Sequence, residues 1–152
     1  EFANKGGKVL GVCNGFQILC ESGLLPGALL LNDHQKFTCK NVYIKPVAND
    51  NVIGKNVAGK VLEIPVAHGE GRYYADAAMM EQLEENNQVL FRYCDENGNE
   101  GVVYNPNGAT NNIAGICNKG RNVFGMMPHP ERACSDTLKN IDGKLILEAL
   151  AN

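Results

Sequence analysis

The apolar positions near the start of the chain change their period abruptly. Residues 9–12 form a short apolar run typical of a buried strand, and residues 14–22 then place apolar side chains at helical spacing. Gly23 follows this segment and predicts the end of the helix. The pattern therefore predicts a strand that turns sharply into a helix at Cys13.

Further along the chain, β-type patterns outnumber helical ones. Asn97-Gly98 is a strong turn signal that predicts a hairpin, and Lys119-Gly120-Arg121 predicts a second one. We expect an α/β sheet with an antiparallel extension. The predicted strands are 29–32, 37–47, 61–66, 89–94, 101–104, 113–118 and 123–127, the later helices are 77–86 and 141–150, and residues 48–59 are predicted to be a loop.

Composition excludes several classes of protein. The 152 residues are 44% hydrophobic and 20% charged, as in ordinary globular proteins, and we expect one domain over residues 1–152. The net charge of −3 gives no electrostatic footprint for nucleic acid. No apolar run approaches the ~20 residues of a membrane span and no signal peptide is visible, so we expect a cytoplasmic protein.

The cysteines do not form a metal or disulfide pattern. None of the six belongs to a Cys-x-x-Cys pair, and a chain of this length and apolar content does not need disulfides. We expect most of them to be small buried hydrophobic residues and we expect no metal site. They are Cys13, Cys20, Cys39, Cys94, Cys117 and Cys134.

One cysteine stands in a pattern that carries chemistry. Gly11-x-Cys13-x-Gly15 lies where the first strand turns into a helix, and glycines beside such a turn let the backbone close. A thiol placed there lies at a helix N-terminus, where the dipole favours the thiolate. The alternative is a buried cysteine in a glycine-rich turn.

A nucleophilic cysteine needs a base, and the chain has three histidines. His34 has the context of a surface loop, and His68 lies in a glycine-rich loop after a strand. His129 lies between two prolines that favour extended backbone, so His129 and Glu131 are expected to share a face, with the carboxylate orienting the imidazole. The alternative is a solvated, proline-rich strand end.

Taken together, these patterns resemble the class I (triad-type) glutamine amidotransferases, in which cysteine, histidine and glutamate occur in this order. More specifically, they resemble the glutaminases of phosphoribosylformylglycinamidine synthases. The resemblance covers nearly the whole chain. The segments that carry it are residues 11–17, 68–73, 105–108, 113–116 and 126–132.

The resemblance implies a flavodoxin-like three-layer fold and a role for each site residue. Cys13 would attack the glutamine side-chain amide, His129 would transfer protons, and Glu131 would orient His129. The Asn14 N–H would form half of an oxyanion hole, and Gln17 would contact the substrate. Residues His68, Glu70, Arg72 and Asn107 would shape the glutamine pocket or meet a partner, although a glycine-permitted loop with solvated charges explains them nearly as well.

The resemblance also implies a partner. Ammonia would pass to the synthase subunit or domain of phosphoribosylformylglycinamidine synthase, which would use ATP and Mg²⁺ to amidate formylglycinamide ribonucleotide. The chain itself has no phosphate-binding glycine motif, so we expect no cofactor in it. Open alternatives are another class I amidotransferase, a Cys-His hydrolase on a related α/β fold, and an inactive interaction domain.

The start of the chain departs from the family pattern. Residues 1–7 have the composition of a last helical turn with a glycine cap, and the family's first strand-helix unit and glycine-rich oxyanion loop are not seen before residue 9. Losing one oxyanion donor costs roughly 10²–10³ in rate. We therefore expect an N-terminally truncated domain whose isolated chain releases little glutamate.

Overall fold

The computed structural model describes residues 1–151, in which short strands alternate with four α-helices. The strands are β1 (Val9–Val12), β2 (Ala28–Leu30), β3 (Thr38–Pro46), β4 (Leu62–His68), β5 (Arg72–Tyr74), β6 (Val89–Cys94), β7 (Ile113–Cys117) and β8 (Val123–Met126). The helices are α1 (Asn14–Glu21), α2 (Val52–Asn56), α3 (Ala77–Glu85) and α4 (Asp142–Ala151).

Six of the strands form one mixed sheet in the order β1-β8-β7-β6-β3-β4, and β2 pairs with β5 separately. Among the described strands only β1 and β8 run parallel, with Gly11 opposite Gly125 and Val12 opposite Met126. The other pairs are antiparallel. The predicted α/β class is confirmed, and its antiparallel part makes up most of the sheet.

Helix α1 packs directly on the parallel pair of strands. Phe16 of α1 is fully buried and stacks on Tyr73 with ring centroids 5.7 Å apart. Gly125 of β8 makes this approach possible, because a Cβ there would lie 2.2 Å from the Phe16 ring. Burial of a side chain of this size contributes about 1.5–3 kcal/mol of stability. Because Gly125 leaves room for the Phe16 ring, this burial holds α1, and with it the N-cap residue Cys13, against the sheet.

Several local predictions are confirmed. Helices α1, α3 and α4 lie within two residues of their predicted bounds, and β7 and β8 form the predicted antiparallel hairpin. The segment before β1 is a short 3₁₀ turn over Ala3–Lys5, capped by Gly6 at φ +87° as its composition predicts.

The hairpin predicted at Asn97-Gly98 is wrong. A turn does form there, since the Asp95 carboxylate accepts from the N–H groups of Asn97 and Asn99. The following residues are not its second strand, however, because Val102–Tyr104 form a 3₁₀ turn. Strand β6 pairs instead with β3 and β7, so non-local pairing overrides the local turn signal.

The loop predicted over residues 48–59 is also wrong, because this segment contains α2. The side chain of Asn51 caps the helix by accepting from the Gly54 N–H at 2.8 Å, and Ile53 is buried. A Cβ at Gly54 would lie 1.9 Å from the Ala48 carbonyl oxygen. Close packing against Ala48 therefore explains why a glycine lies inside this helix.

The expectation that most cysteines are buried is likewise wrong. All six thiols are free, and only Cys94 and Cys117 are fully buried, whereas Cys39 is exposed. Within residues 1–151, no helix is long and apolar enough to cross a membrane.

A methyl group added at Gly125 tests how closely α1 packs on the sheet. We expect Gly125→Ala to lower the free energy of unfolding by about 1–3 kcal/mol, because the new Cβ collides with the Phe16 ring in a tightly packed core. Urea denaturation followed by circular dichroism measures the change. Gly15→Ala is the control, since a Cβ there meets nothing within 4 Å; an equal loss in both variants would contradict this explanation.

Candidate active site

Cys13 occupies the sharp turn between β1 and α1. It is the N-cap residue of α1, with φ +52° and ψ −109°, a conformation that side-chain-bearing residues rarely adopt. Its N–H donates to the Met126 carbonyl at 2.8 Å, and its own carbonyl accepts from the Gln17 N–H at 3.2 Å. The predicted elbow is therefore present and is anchored to both β8 and α1.

The two glycines of the elbow differ in what they contribute. A Cβ at Gly11 would lie 2.6 Å from the Gly15 backbone, so a side chain there would prevent the turn from closing. A Cβ at Gly15 would meet nothing within 4 Å, apart from the backbone of its own helix. The elbow therefore requires glycine for steric reasons at position 11 and not at position 15.

His129 and Glu131 contact each other as the sequence predicts, although the backbone reason is different. His129 Nδ1 lies 2.6 Å from Glu131 Oε1. The segment Pro130–Arg132 is a 3₁₀ turn and not an extended strand, so the expected i, i+2 alternation does not produce the contact. The turn folds the carboxylate back onto the imidazole.

The other imidazole nitrogen of His129 is unpaired. Nε2 is buried and has no hydrogen-bond partner among the described residues. Buried polar groups are nearly always satisfied, so an unpaired nitrogen beside an oriented Nδ1 is the arrangement expected of a base that awaits a substrate or thiol proton.

The candidate nucleophile and the candidate base both contact the same strand, β4. Cys13 Sγ donates to the Ala67 carbonyl at 3.8 Å, and the His129 N–H donates to the Pro65 carbonyl at 2.8 Å. These two carbonyls are about 6.6 Å apart along the strand. Since β1 and β4 are the two ends of the sheet, this contact shows that the sheet curls until its ends approach each other.

Burial controls the electrostatics of the thiol. Desolvation raises the pKa of Cys13 above its ordinary value; the Asn14 N–H and the Arg132 charge act in the opposite direction, and Glu131 adds to the increase. The expectation that the helix N-terminus yields a thiolate is therefore corrected: the Asn14 N–H does favour the thiolate, but desolvation is the larger effect.

The predicted pocket residues lie in different surroundings. Gln17 donates to Glu21 at 3.1 Å on the exposed side of α1, and Glu70 is exposed. Arg72 is partly buried in β5, and its Nε has no partner within residues 1–151. The structure does not assign these three side chains a ligand, so their predicted roles stay predictions.

His68 and Asn107 are buried and belong to the interior. Their exposed fractions are 4% and 0%, so both side chains are enclosed by the described residues. His68 is the last residue of β4 and not a loop residue, and it continues the buried alternation of Leu62, Ile64 and Val66. Burial lowers the pKa of His68 to about 4, with smaller contributions from the charges of His129 and His34.

Sequence reasoning missed three contributors to this site. Pro65 and Ala67 act through their carbonyl groups, which leave no signal in side-chain chemistry. Asn32 is buried and hydrogen-bonds the carbonyl and the imidazole of His68 from 36 residues away. One sequence signal for the position of His68 was available. His68 follows Leu62, Ile64 and Val66 at intervals of two residues, which predicts that β4 continues to residue 68 with the His68 side chain buried.

The fold and the site together define a class of protein. The sequence-family model of the CobB/CobQ-like glutamine amidotransferase domain matches residues 1–146, and the chain belongs to this family. A glutamine amidotransferase of Thermotoga maritima, solved by crystallography, shares the fold with a TM-score of 0.55 at 16% identity.

More similar relatives share one name. Phosphoribosylformylglycinamidine synthase subunit PurQ of Sulfurimonas denitrificans is 52% identical over 149 residues, which are 97% of this chain and 65% of the relative. The protein of the same name from Aquifex aeolicus is 51% identical over 99% of this chain and 66% of its own length. The structure of PurLQS from Thermotoga maritima contains a chain matched with TM-score 0.82 at 38% identity, over 99% of this chain and 64% of that one. The chain thus spans just under two thirds of these relatives.

The opposite effects of Glu131 and Arg132 on the pKa of the Cys13 thiol can be tested with a simple alkylating agent. We expect Glu131→Gln to speed iodoacetamide alkylation of Cys13 at pH 8 and Arg132→Gln to slow it, because these substitutions lower and raise the thiol pKa respectively. Both side chains are about half exposed, so each change should be a few-fold, the size of an ion-pair energy of about 0.2–1 kcal/mol. Peptide mass spectrometry measures the rates, and equal slowing in both variants would contradict the electrostatic account.

The neutral, buried His68 predicts a specific loss of stability in acid. The unfolded imidazole binds a proton near pH 6.5 and the folded one only near pH 4, so stability falls as the pH drops through this interval. The slope reaches about 1.4 kcal/mol per pH unit, for a total of roughly 3 kcal/mol. Urea denaturation at pH 7, 5.5 and 4.5 measures this loss.

Two variants isolate the contribution of His68 from that of titrating carboxylates. His68→Gln should be less stable at pH 7 and should lose less stability in acid than the parent. His34→Gln should keep most of the parent's acid slope, because the charge of His34 makes only a small contribution to the lowered pKa of His68. If His68→Gln retains the full acid slope, another group is responsible.

Proposed function

We propose that this chain is the glutamine-hydrolysing part of a phosphoribosylformylglycinamidine synthase. The observation that carries the proposal is the arrangement of the triad: a cysteine on a strained elbow, and a buried histidine whose Nδ1 is held by Glu131 while its Nε2 is free. The names of the relatives supply the substrate class and the pathway.

The proposed reaction starts with proton transfer from the Cys13 thiol to His129 Nε2. Because burial raises the thiol pKa, little thiolate exists at pH 7, and attack on the side-chain amide carbon of glutamine is coupled to this transfer. The C–S bond forms and the amide oxygen becomes an oxyanion, to which the Asn14 N–H donates. Glu131 stabilises the imidazolium that His129 becomes.

Breakdown of this intermediate releases ammonia. His129 returns its proton to the leaving nitrogen, the C–N bond breaks, and a glutamyl thioester remains on Cys13. Water then attacks the thioester, with His129 accepting its proton; the C–S bond breaks, glutamate leaves, and His129 returns the proton to the sulfur to restore the thiol. Gln17 is proposed to contact the substrate, for which its amide would leave the exposed Glu21 carboxylate.

The ammonia is proposed to pass to an ATP-dependent synthase partner that amidates formylglycinamide ribonucleotide in the cytoplasm. A chain that does only the glutaminase half needs no cofactor of its own, and we assign ATP and Mg²⁺ to the partner. Within residues 1–151 no group of three His, Cys, Asp or Glu residues is arranged to hold a metal ion.

A glutamine-like electrophile tests the proposal directly. We expect the diazoketone analogue of glutamine to modify Cys13 in preference to the other five thiols, because Cys13 occupies the strained elbow and contacts the same strand, β4, as the proposed base His129. Burial raises the pKa of Cys20 to about 12 and that of Cys117 to about 11, which keeps both unreactive. Peptide mass spectrometry locates the adduct; preferential labelling of Cys20 or Cys117, or none at all, would overturn the proposal.

Variants of the triad should affect glutamate release and simple alkylation of the Cys13 thiol differently. In the presence of the synthase subunit, we expect Cys13→Ala and His129→Ala to lower glutamate release by about 10⁴-fold or more. Glu131→Gln should also lower it, while speeding simple alkylation of Cys13 as described above. An enzyme-coupled glutamate assay measures the rates, and Cys39→Ala is the thiol control, expected to keep its activity because the Cys39 side chain is exposed.

A further inference from the structure

Three buried polar side chains form a cluster that the proposed chemistry does not use. Asn32, His68 and Asn107 have exposed fractions of 1%, 4% and 0%, and they come from three separate segments of the chain. Burying so many polar atoms is costly unless each one is paired. A cluster of this kind beside a candidate active site therefore requires an explanation.

The hydrogen bonds fix the chemical state of the imidazole. Asn107 Nδ2 donates to the Gly71 carbonyl at 2.8 Å and lies 3.4 Å from His68 Nε2, while Asn107 Oδ1 accepts from the Ala109 N–H. An amide nitrogen can only donate, so Nε2 is the acceptor and the proton of His68 is on Nδ1. That proton points to Asn32 Oδ1 at 3.1 Å, which also accepts from the Gly71 N–H at 3.0 Å.

The cluster holds the end of β4. Asn32 Nδ2 donates to the His68 carbonyl at 2.9 Å, and the Asn32 N–H donates to the Gly69 carbonyl at 2.9 Å. Strand β4 lies at the edge of the sheet and has a ladder only with β3. On the side away from β3, its carboxyl end is therefore held by Asn32, His68 and Asn107 together with the Cys13 thiol, which contacts the Ala67 carbonyl.

The end of β4 is also the wall of the candidate active site. The Ala67 carbonyl, one residue before His68, accepts from Cys13 Sγ, and the Pro65 carbonyl accepts from the His129 N–H. A shift of this strand end changes where the nucleophile and base stand relative to each other. Misplacement by about 1 Å can cost around 100-fold in rate.

We infer that His68, held as the neutral Nδ1–H tautomer by Asn32 and Asn107, is a positioning residue of the glutaminase site. It acts through β4, whose Ala67 and Pro65 carbonyls set the spacing of Cys13 and His129. This role rests on the proposed function and differs from that of a second base, because Nε2 is occupied and a proton there would face the Asn107 amide hydrogens.

Removal of one buried amide tests the inference against a matched control. Asn107→Ala deletes the donor to His68 Nε2, and Asn51→Ala deletes a buried amide that caps α2. For each variant the rate of Cys13 labelling by the diazoketone analogue of glutamine is divided by the rate with iodoacetamide. We expect this ratio to fall about 10- to 100-fold in Asn107→Ala and to stay at the parent value in Asn51→Ala. An unchanged ratio in Asn107→Ala, or an equal fall in both, would overturn the inference.

Nuclear magnetic resonance provides a readout that a merely structural role would not move. Long-range ¹H–¹⁵N correlation should show His68 as the Nδ1–H tautomer at pH 6 in the parent. In Asn107→Asp, which keeps the side-chain size and the acceptor for Ala109, the carboxylate should draw a proton onto Nε2 and give an imidazolium at pH 6. An Nε2–H tautomer or an imidazolium in the parent would overturn the inference.

These measurements also separate the inference from the proposed function. If the diazoketone fails to label parent Cys13, the proposed function fails, and the positioning of the thiol is then read from the pH dependence of iodoacetamide alkylation. Loss of the Ala67 acceptor should lower the apparent pKa of Cys13 in Asn107→Ala, with the surrounding titratable groups Glu131, Arg132 and His129 unchanged. An identical pH profile in the parent and Asn107→Ala would overturn the positioning role.

Discussion

The parallel pairing of β1 with β8 is the constraint on which the rest of the candidate site depends. Because the two strands run the same way with Val12 opposite Met126, their carboxyl ends open at one edge of the sheet, and the residues that follow each strand emerge side by side. Cys13 follows one strand and His129 the other. No single segment of the chain contains both groups, and this pair of strands brings them together.

Strand β4 completes the site from the opposite end of the sheet. Curling of the sheet brings its carbonyl groups against both catalytic candidates, which replaces water around the thiol with protein and makes desolvation the largest effect on its pKa. The thiol is therefore kept protonated until a base acts on it. Two groups offset this desolvation: the Asn14 N–H stabilises the thiolate, and His129, oriented by Glu131, can accept the thiol proton.

Local sequence signals predicted the elbow, the β7–β8 hairpin and the His129–Glu131 contact, because each depends on residues within a few positions of one another. The hairpin expected after Asn97-Gly98 failed since β6 has better partners in β3 and β7, which no local pattern reveals. Helix α2 was missed because the asparagine and glycine content of residues 48–59 is typical of a loop, whereas Gly54 is needed for close contact with Ala48. The surroundings of His68 could not be predicted, since Asn32 and Asn107 lie 36 and 39 residues away in sequence.

The backbone at Cys13 has a consequence for how the chain can change over evolution. A side-chain-bearing residue at φ +52° and ψ −109° costs of order 1–3 kcal/mol, and glycine would remove most of that cost. The elbow backbone would therefore be less strained with glycine in place of Cys13. Backbone strain favours this one replacement, so selection for the thiol's chemistry is what retains Cys13, and a copy relieved of that selection meets no backbone penalty on exchanging its nucleophile for glycine.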